Sequence, residues 1–458
     1  MPRYAASIYL FNRDLRVEDN ELLGHAVANS GLVYPIFVFT PEQIMENKLA
    51  NARATQFLAR SLIYLATKIP ITFFVGKTED VVEKLIEMLG ANAVYNNFDV
   101  TPYAMGRSDR LKRQCKRLGT AFVQGRDVFM FRRRDLVKGD GSPYVKYTPF
   151  YKNALKYLSD EKVAPTAGKT RLRRLSGNGS KMLNDLAAGS ANPVFAPGRA
   201  AAVQALRRFA SAKASYKLVR DRPAADATSH LSAYLHYGIL GPNEVARALV
   251  GNKNRPDIIR QLLWREFYLY IVWMQHTSYA KLSVTIPSHN KVRWVRDPRR
   301  FALWCKGQTG CPIVDAGMRE LNETGYMQNR ARMIVATFLI FYLHINWTMG
   351  ELYFARNLVD YDYCNNLGGW MWCAAWEVHS NEFFRPLSVS SQMRRFDPQG
   401  DYVKRWVPEL AGVEARDLYD WPASRAGYTS VRYATPIILD LKKAREAGVE
   451  LYKKARGK

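Results

Sequence analysis

The sequence has few cysteines, no long apolar run and no surplus of acidic residues. Its five cysteines among 458 residues form no Cys-x-x-Cys pair, and its seven histidines form no paired-ligand motif, so neither a disulfide framework nor a metal site is expected. The longest apolar run, residues 334–343, has about half the length that a membrane span needs. The N-terminus lacks the basic, apolar and small-residue order of a signal peptide. The sequence therefore predicts a soluble intracellular protein, cytoplasmic or nuclear, that is not secreted.

Positive charge is the largest departure from an average composition. The chain has 67 Lys and Arg against 41 Asp and Glu, a formal net charge of +26, while its hydrophobic fraction of 48% is ordinary for a globular protein. Such an excess repels itself unless a polyanion is the usual partner, and nucleic acid is the leading candidate. Only 6 of the 26 excess charges lie in residues 1–150. We therefore expect a nucleic-acid-binding surface in residues 151–458.

Short β-rich runs alternate with amphipathic runs in the N-terminal third. The predicted strands cover residues 6–11, 32–39, 72–75 and 93–96, and the predicted helices cover residues 21–29, 51–69 and 78–89. This alternation is typical of βαβ units around a parallel sheet. No G-x-G-x-x-G follows any of these strands, and the run Gly76-Lys77-Thr78 lacks the first glycine of a phosphate-binding loop, so we interpret it as an ordinary strand-to-helix turn.

The composition changes beyond this region. Between about residues 162 and 198 it shifts to Gly, Ser, Pro, Ala and Arg without a sustained apolar period, which predicts a long, basic, mobile connector. After the connector the apolar period becomes helical, and Trp, Tyr and Arg become dense. The predicted organisation is an α/β domain of residues 1–130, a connector of residues 131–200 and an all-α domain of residues 201–458.

Four side chains in the run RQLLWREFYLY are spaced as one face of a helix. Gln261, Trp264, Arg265 and Tyr268 stand at positions i, i+3, i+4 and i+7. A packed core is one interpretation of such a stripe, but a core would favour Leu and Ile. Aromatic planes interleaved with Arg and Gln are typical of a site that stacks bases and binds phosphates.

A second group of polar and aromatic residues lies in the run DYDYCNNLGGWMW. Trp370 and Trp372 are two residues apart and would point about 200° apart on a helix, so one indole cannot do the work of the other. The preceding Asp360 and Asp362 are either part of a ligand-binding wall or the cap of a helix. Residues 228–238 likewise place hydroxyl groups and a histidine before a predicted helix, as a cap or an anion site would.

Taken in order, these segments resemble the photolyase and cryptochrome family, and in motif they are most similar to cyclobutane pyrimidine dimer DNA photolyases. The similarity runs from LFNRDLRVEDN near the N-terminus to FDPQGDYVKRWVPEL near the C-terminus, in the family's order and spacing. It implies an α/β plus all-α fold, with an N-terminal Rossmann-like parallel-sheet antenna domain and a C-terminal helical FAD-binding domain. It also implies that reduced, light-excited FAD donates an electron to a flipped-out cyclobutane pyrimidine dimer, and that the electron returns after the ring has split.

The resemblance assigns the cofactor-binding residues position by position. The positions that hold the FAD phosphates and ribitol are Tyr216, Thr228, Ser229, His230, Leu231 and Ser232. Further contacts with the cofactor are implied for Ile258, Gln261, Arg332, Asp360, Tyr361 and Asp362. Arg332 is expected to pair with Asp360. Asn366 falls beside the flavin N5, where its amide can stabilise the reduced ring.

The same resemblance assigns the catalytic and DNA-binding residues. The implied electron relay consists of three tryptophans, Trp370, Trp347 and Trp294, and Asn366 and Gln261 complete the implied catalytic set. Trp264 and Trp372 match the pair of tryptophans that clamp the lesion. The other implied DNA contacts are Arg220, Gln261, Arg265, Tyr268, Asn329, Arg330, Met333 and Gln392.

Two departures from the family's pattern leave the subgroup open. Position 230 is His where many members have Arg or Lys, and position 261 is Gln, as in (6-4) photolyases, many cryptochromes and the DASH group, where typical dimer enzymes have Glu. Asn329 and Met333 favour a dimer photolyase over a (6-4) enzyme, and Trp372 disfavours the DASH group. A cryptochrome-type photoreceptor is the main alternative, although cryptochromes usually carry a long C-terminal extension and here only a short segment follows the PEL motif.

The second chromophore of the antenna domain is also left open. Residues 96–110 resemble the family's second-chromophore region but lack the Asn-Glu pattern associated with folate, so folate, deazaflavin and no second chromophore all remain alternatives. The expected partner is UV-damaged DNA, bound through the lesion and not through its sequence. The protein is expected to be a monomer with no membrane partner.

Overall fold

A computed structural model of the chain describes residues 2–44, 46–160, 169–274, 292–374 and 386–455. The strands are β1 (Tyr4–Leu10), β2 (Ser30–Phe39), β3 (Thr72–Val75), β4 (Ala93–Asn97) and β5 (Ala121–Gly125). The helices up to residue 274 are α1 (Glu21–Asn29), α2 (Pro41–Ile44), α3 (Ala52–Ala66), α4 (Thr78–Leu89), α5 (Pro102–Arg117), α6 (Tyr147–Ala154), α7 (Ser180–Ala187), α8 (Arg199–Ala210), α9 (Tyr216–Val219), α10 (Ser232–His236), α11 (Pro242–Ala248) and α12 (Arg255–Met274). The later helices are α13 (Pro298–Lys306), α14 (Pro312–Thr324), α15 (Asn329–Phe341), α16 (Trp347–Asn357), α17 (Tyr363–Cys373), α18 (Val389–Phe396), α19 (Asp401–Trp406), α20 (Ala415–Leu418), α21 (Trp421–Ser424) and α22 (Leu441–Ala455).

The chain divides into two compact units. The first comprises residues 1–212 and 229–276, and the second comprises residues 213–228 and 277–458. The domain limits at residues 130 and 200 remain predictions. No helix in the described parts of the chain combines the length and the hydropathy needed to cross a bilayer. Over the same residues, no three His, Cys, Asp or Glu side chains are grouped as ligands for a metal ion.

The first unit is built on a five-stranded parallel sheet with the strand order β3-β2-β1-β4-β5. Its core packs Ile8, Ile36 and Val94 of the sheet against Leu85 of α4 and Leu111 of α5. Four strands and the three helices between them lie where the sequence predicts them, so the predicted α/β fold is confirmed. The sequence pattern does not predict β5, because this edge strand is short and mostly half-buried.

Residues 169–198 differ from the mobile connector that their composition predicts. Helix α7 packs against α3, where the Arg60 guanidinium donates to the Ala187 carbonyl at 2.9 Å. The backbone N–H of Gly179 donates to the Phe73 carbonyl at 2.9 Å, and a Cβ at this position would lie 2.6 Å from the Phe73 carbonyl carbon. The glycine here serves a close approach to β3. The prediction of a mobile connector is therefore wrong for these residues.

The C-terminal end of α10 and the turn that follows it are fixed to the segment after β1 in the first unit. Arg13 Nε donates to the His236 carbonyl at 2.8 Å, and Arg16 Nη1 donates to the Gly238 carbonyl at 2.9 Å. Gly238 has a φ of +65°, and a Cβ at this position would lie 1.9 Å from the carbonyl oxygen of Arg13. Only glycine fits this contact, which fixes the position of the residues just before it.

The described part of the second unit is helical, and no β-strand occurs in residues 213–228, 292–374 or 386–455. Helix α15 is its centre, because the apolar residues of its C-terminal half are buried on all sides, and it packs against α14, α16 and α17. Its first turn is capped by the Gln328 side chain, which accepts from the backbone N–H groups of Arg330 and Ala331. The predicted helical domain is confirmed over these residues.

We expect Gly238→Ala to destabilise the first unit by at least about 3 kcal/mol, because the added methyl group meets a backbone oxygen and the residue must also keep a positive φ. Thermal unfolding followed by circular dichroism measures the effect. Gly139→Ala in the same unit is the matched control, since a Cβ there meets nothing within 4 Å. Equal unfolding midpoints for the two variants would contradict the close contact.

Candidate functional site

The residues singled out from the sequence lie in both compact units. Those in the first unit are Ser229, His230, Leu231, Ser232, Ile258, Gln261, Trp264, Arg265 and Tyr268. Those in the second unit are Tyr216, Arg220, Thr228, Trp294, Asn329, Arg330, Arg332, Met333, Trp347, Asp360, Tyr361, Asp362, Asn366, Trp370, Trp372 and Gln392. Each group is described within its own unit.

An ion pair joins α15 to the segment before α17. Arg332 Nη2 donates to both oxygens of Asp360, at 3.1 and 2.8 Å, and Arg332 Nε donates to the Met327 carbonyl at 2.7 Å. The carboxylate is deeply buried, with 2% of its side chain exposed, whereas the guanidinium is 26% exposed. Burial alone would lower the pKa of Arg332, but the neighbouring Asp360 raises it overall, so the guanidinium keeps its charge. The predicted pairing of Arg332 with Asp360 is confirmed.

Asp362 caps α17, as one of the two interpretations of the sequence predicts. Its Oδ1 accepts from the backbone N–H of Asn365 at 2.9 Å and from the Asn365 side chain at 2.8 Å. The two aspartates of the DYD run therefore have different roles in the structure. Asp360 is held by a guanidinium, and Asp362 starts the helix.

Asn366 is oriented by a half-buried carboxylate, that of Glu351, which the sequence analysis does not identify. Its Nδ2 donates to Glu351 Oε1 at 2.9 Å and to the Glu351 carbonyl at 3.2 Å, and the Tyr361 hydroxyl donates to the same Oε1 at 3.4 Å. Burial raises the pKa of Glu351 above its ordinary value. Because the amide nitrogen is committed to Glu351, the carbonyl oxygen of Asn366 is the atom presented to a ligand. A lone Glu within an aromatic helix is the signal that could have indicated Glu351.

The two tryptophans of α17 lie in different environments. Trp370 is 2% exposed and contacts Phe354 and Trp304, with ring centroids 5.1 and 6.3 Å apart. Gly350 of α16 allows this packing, since a Cβ there would lie 2.2 Å from the Trp370 ring. Trp372 is half-buried. The prediction that the two indoles point in different directions agrees with this difference in burial.

The remaining tryptophans of the predicted relay become more exposed along the series. Trp347, at the start of α16, is buried, and Trp294 is half-buried with its ring edge-on to Tyr452 at 5.9 Å between centroids. Trp304, which the sequence analysis does not single out, is completely buried, and its Nε1 donates to the Val335 carbonyl at 3.0 Å.

A cluster of polar side chains surrounds Arg330 in the second unit. Its guanidinium donates to Asp221 at 3.0 Å and to Gln392 at 3.3 Å, and it lies 4.4 Å from the centre of the Phe396 ring. The Gln328 side chain donates to the Arg220 carbonyl, which brings the predicted residue Arg220 to the same cluster. Asn329 and Met333 lie one turn apart on α15, in contact through Nδ2 and Sδ at 3.6 Å.

Thr228 contacts Tyr326, which lies between α14 and α15. The hydroxyls of Thr228 and Tyr326 are 3.3 Å apart, and the Tyr326 ring lies 5.6 Å from the Arg332 guanidinium. Nearby, Glu320 accepts from the Tyr402 hydroxyl at 2.5 Å, and burial raises the pKa of Glu320 to about 7. Tyr216 is buried at the start of α9.

In the first unit, the predicted stripe forms the half-exposed face of α12. Gln261, Trp264, Arg265 and Tyr268 are half-buried, whereas the residues between them are buried, so the interpretation as a packed core is wrong. Arg265 Nη1 donates to the Val128 carbonyl at 2.8 Å. The next residue along the chain has a structural role: the Glu266 carboxylate accepts from the backbone N–H groups of two residues of the loop before α6, and burial raises its pKa to about 7.

Trp264 also contacts the connector helix α6. Its ring and that of Tyr147 are parallel within 6°, with centroids 3.6 Å apart. Residues 229–231 precede α10, which begins at Ser232, and His230 adopts a left-handed conformation with a φ of +50°. Leu231 and Ile258 are buried.

These residues fit FAD. The run of residues 228–232 offers hydroxyl and backbone N–H groups of the kind that bind phosphates, and the Asn366 carbonyl oxygen suits the protonated N5 of a reduced flavin. The buried indoles beside Asn366 suit electron transfer to that ring. A parallel α/β unit, a helical unit with buried tryptophans and a half-exposed aromatic face on a basic chain are the features expected of a light-active flavoprotein that works on DNA.

Comparisons with known proteins agree with this class. Residues 7–167 match the family described as "DNA photolyase", and residues 258–454 match the "FAD binding domain of DNA photolyase". The chain is 32% identical to the deoxyribodipyrimidine photo-lyase of Vibrio cholerae over 98% of this chain and 99% of that protein. This chain belongs to the DNA photolyase family, and it carries that family's FAD-binding domain.

Solved structures resemble the chain over its whole length. A class III photolyase from Agrobacterium tumefaciens has a TM-score of 0.88 and 30% identity, covering 100% of this chain and 99% of that one. An archaeal photolyase from Sulfolobus tokodaii, solved with two FAD molecules, has a TM-score of 0.83 and 28% identity, covering 98% and 100%. A Synechocystis cryptochrome, with a TM-score of 0.82, 24% identity and coverage of 98% and 100%, shares the fold.

We expect Arg332→Met to destabilise the second unit by about 2–3 kcal/mol, because it leaves the Asp360 carboxylate buried without its cation. The double variant Arg332→Met/Asp360→Asn should lose less than the sum of the two single variants, as measured by urea unfolding. Arg300→Met is the control, because its pair with Asp297 is exposed and should contribute less than about 1 kcal/mol. Additive losses in the double variant would show that the two side chains are not coupled.

Proposed function

We propose that this chain splits cyclobutane pyrimidine dimers in UV-damaged DNA in a light-driven reaction that uses reduced FAD. The observation that carries the proposal is the arrangement of α17. One helix of 11 residues holds the Asn366 amide and the buried Trp370 one turn apart, and the half-buried Trp372 on another face. A cofactor contact, an electron donor and a base-stacking ring are thereby set in one rigid element.

FAD, when bound, supplies the light-excitable electron donor, and the electron returns to it after the dimer has split. The residues proposed to hold its phosphates and ribitol are Tyr216, Thr228, Ser229, His230, Leu231 and Ser232. Those proposed to contact the rest of the cofactor are Ile258, Gln261, Arg332, Asp360, Tyr361, Asp362 and Asn366. The hydrogen bond from Asn366 to Glu351 occupies the amide nitrogen, so the Asn366 carbonyl oxygen would be the atom that accepts from the flavin N5 and favours the reduced ring.

Trp370, Trp347 and Trp294 are proposed to carry electrons inward when oxidised FAD is first reduced. Their increasing exposure supports this order, because an oxidised indole at the half-exposed Trp294 can lose its proton to water. A buried cation such as oxidised Trp370 is, in contrast, costly, which drives the charge outward along the series.

DNA is proposed to bind by its backbone and to be read by its lesion. The excess positive charge supplies a sequence-independent grip on the phosphates, and Arg220, Arg330 and Gln392 are proposed to contact them. The dimer must leave the duplex to be reached, and a poorly stacked lesion leaves it at a lower cost than an intact pair. Trp264 and Trp372 are proposed to clamp the flipped dimer, with further contacts from the side chains of Gln261, Arg265, Tyr268, Asn329 and Met333.

We further propose that the protein acts as a monomer and works where DNA is found, in the cytoplasm or a nucleus. A second, light-harvesting chromophore in the first unit is supported by Arg107 on α5. Arg107 is 5% exposed, its Nε is buried without a hydrogen-bond partner in the described chain, and the centre of the Tyr103 ring lies 5.7 Å from its guanidinium. A buried cation in this situation suits a ligand with negative charge or carbonyl oxygens. Deazaflavin and flavin have both.

Reversal of a cyclobutane thymine dimer by the reduced protein under blue light is the expected result of the central experiment. An oligonucleotide with one dimer and an oligonucleotide with one (6-4) lesion are illuminated with the protein and separated by chromatography, beside dark controls. Reversal of the dimer alone supports the proposal and shows that Gln261 is tolerated. Reversal of neither lesion by the FAD-loaded protein would overturn it and favour the cryptochrome-type photoreceptor, to which Gln261 and His230 point.

Trp370→Phe should slow the photoreduction of oxidised FAD by at least about tenfold, because the phenyl ring is much harder to oxidise than indole, while repair by enzyme reduced beforehand is retained. The flavin absorption spectrum under continuous blue light measures the first effect, and dimer reversal after dithionite reduction measures the second. Trp304→Phe is the matched control, since this indole is buried in the same cluster but stands outside the relay. Loss of repair by the pre-reduced variant would contradict the assigned role of Trp370.

A further inference from the structure

Tyr147 lies against a residue proposed to bind the lesion, although neither the sequence motifs nor the proposed function gives Tyr147 a role. It is the first residue of α6, in the stretch predicted to be a connector. Its ring is parallel to that of Trp264 within 6°, and the two centroids are 3.6 Å apart. This separation is the van der Waals contact distance of two rings, so no base can enter between them.

The position of Tyr147 is determined by its hydroxyl, by the packing of its ring and by the anchoring of the helix that it starts. Its hydroxyl donates to the Arg260 carbonyl on α12 at 2.9 Å. Phe267 meets both rings edge-on, at 5.7 Å from Tyr147 and 6.0 Å from Trp264. Phe150, one turn further along α6 and completely buried, contacts Phe267 at 5.1 Å. Burial raises the pKa of the Tyr147 hydroxyl, so it stays a donor to Arg260 at any pH at which DNA is repaired.

These contacts decide between two uses of a ring stacked on Trp264. A ring that occupies the place of a base in the free protein must leave when the base arrives, and it would be held weakly. Tyr147 is instead anchored at its hydroxyl, at its ring edge and by the helix that it starts. It therefore stays in place and restricts the half-buried indole of Trp264 to one orientation.

We propose that Tyr147 is a positioning residue of the lesion pocket: with Trp264 it forms a fixed two-ring platform, and a flipped pyrimidine stacks on the opposite face of the indole. This inference rests on the proposed function, in which Trp264 contacts the dimer. A ring that is already immobile loses little conformational entropy when a base stacks on it, so the platform increases the affinity for the flipped lesion. Intact DNA, whose bases stay in the duplex, does not contact the platform.

The experiment compares binding of two oligonucleotides of the same sequence, one with a single thymine dimer and one undamaged. Dissociation constants are measured in the dark, at one salt concentration, for the FAD-loaded protein and for Tyr147→Leu and Tyr147→Phe. We expect Tyr147→Leu to weaken binding of the dimer about 5- to 20-fold, less than or equal to the loss of one base stack, and to change binding of intact DNA less than about twofold. Tyr147→Phe keeps the ring and should stay within about threefold of the wild-type protein for both.

Two controls separate the possible causes. Tyr157→Leu removes an exposed ring three residues beyond the end of α6 and should leave both dissociation constants unchanged. Trp264→Leu should abolish most of the preference for the dimer. If Trp264→Leu does so and Tyr147→Leu does not, the platform is refuted while the proposed function stands. If neither variant changes the preference, the proposed lesion pocket itself is wrong.

Two further outcomes also decide the question. An increased affinity of Tyr147→Leu for the dimer would overturn the proposal and show that Tyr147 occupies the place of the base. An equal loss of affinity for damaged and intact DNA would also overturn it, because a merely structural residue would have that effect. Flavin absorbance and the thermal midpoint verify that each variant is folded. Tyr147→Met, which replaces the ring with a flexible apolar chain, is used if Tyr147→Leu does not fold. The ratio of the dissociation constants for intact and dimer-containing DNA is then compared between Tyr147→Met and the wild-type protein, with the same outcomes deciding the question.

Discussion

The ion pair between Arg332 and Asp360 is the interaction on which the proposed site depends. It connects the central helix of the second unit to the turn from which α17 starts, and the cap at Asp362 follows two residues later. These two contacts fix the start of α17, which lies before the proposed functional residues of that helix. The period of the helix then determines the directions in which Asn366, Trp370 and Trp372 point. The deeply buried carboxylate of Asp360 is stable only beside the Arg332 guanidinium. We therefore expect substitutions of either residue to destabilise the start of α17.

Aromatic rings in this protein are positioned by polar contacts at their edges. Tyr147 is held by its hydroxyl, which donates to a carbonyl, and Trp304 by its indole N–H, which donates to another. A flat ring packed only against apolar neighbours can slide or rotate at little cost. One directional hydrogen bond at its edge removes that freedom, which matters where electron transfer and base stacking both depend on distances of a few ångströms.

Local patterns in the sequence predicted most of the elements but few of the contacts between them. The strand Thr72–Val75 and the helix Thr78–Leu89 lie within the predicted limits, because their apolar periods and turn residues act locally. The stripe on α12 and the opposed tryptophans of α17 followed from helix geometry alone. Tyr147 and Asp221 could not be found in this way, since each meets its partner across more than 100 residues of chain. Residues 169–198 were predicted to be mobile for a related reason. Composition does not distinguish a glycine that gives the backbone conformational freedom from one that allows a close contact, as Gly179 does.

The contact between Asp221 and Arg330 bears on how such a protein searches a chromosome. Arg330, which is proposed to contact DNA, already has a carboxylate at 3.0 Å, an amide and an aromatic face. A DNA phosphate that took the place of Asp221 would therefore gain only the difference between two ion pairs. Each encounter with intact DNA is then short-lived. Because damaged sites are rare among a very large number of intact ones, the time spent at each intact site sets how long a lesion waits for repair. By competing with DNA phosphates for Arg330, Asp221 would weaken binding to intact DNA and shorten the search for a lesion.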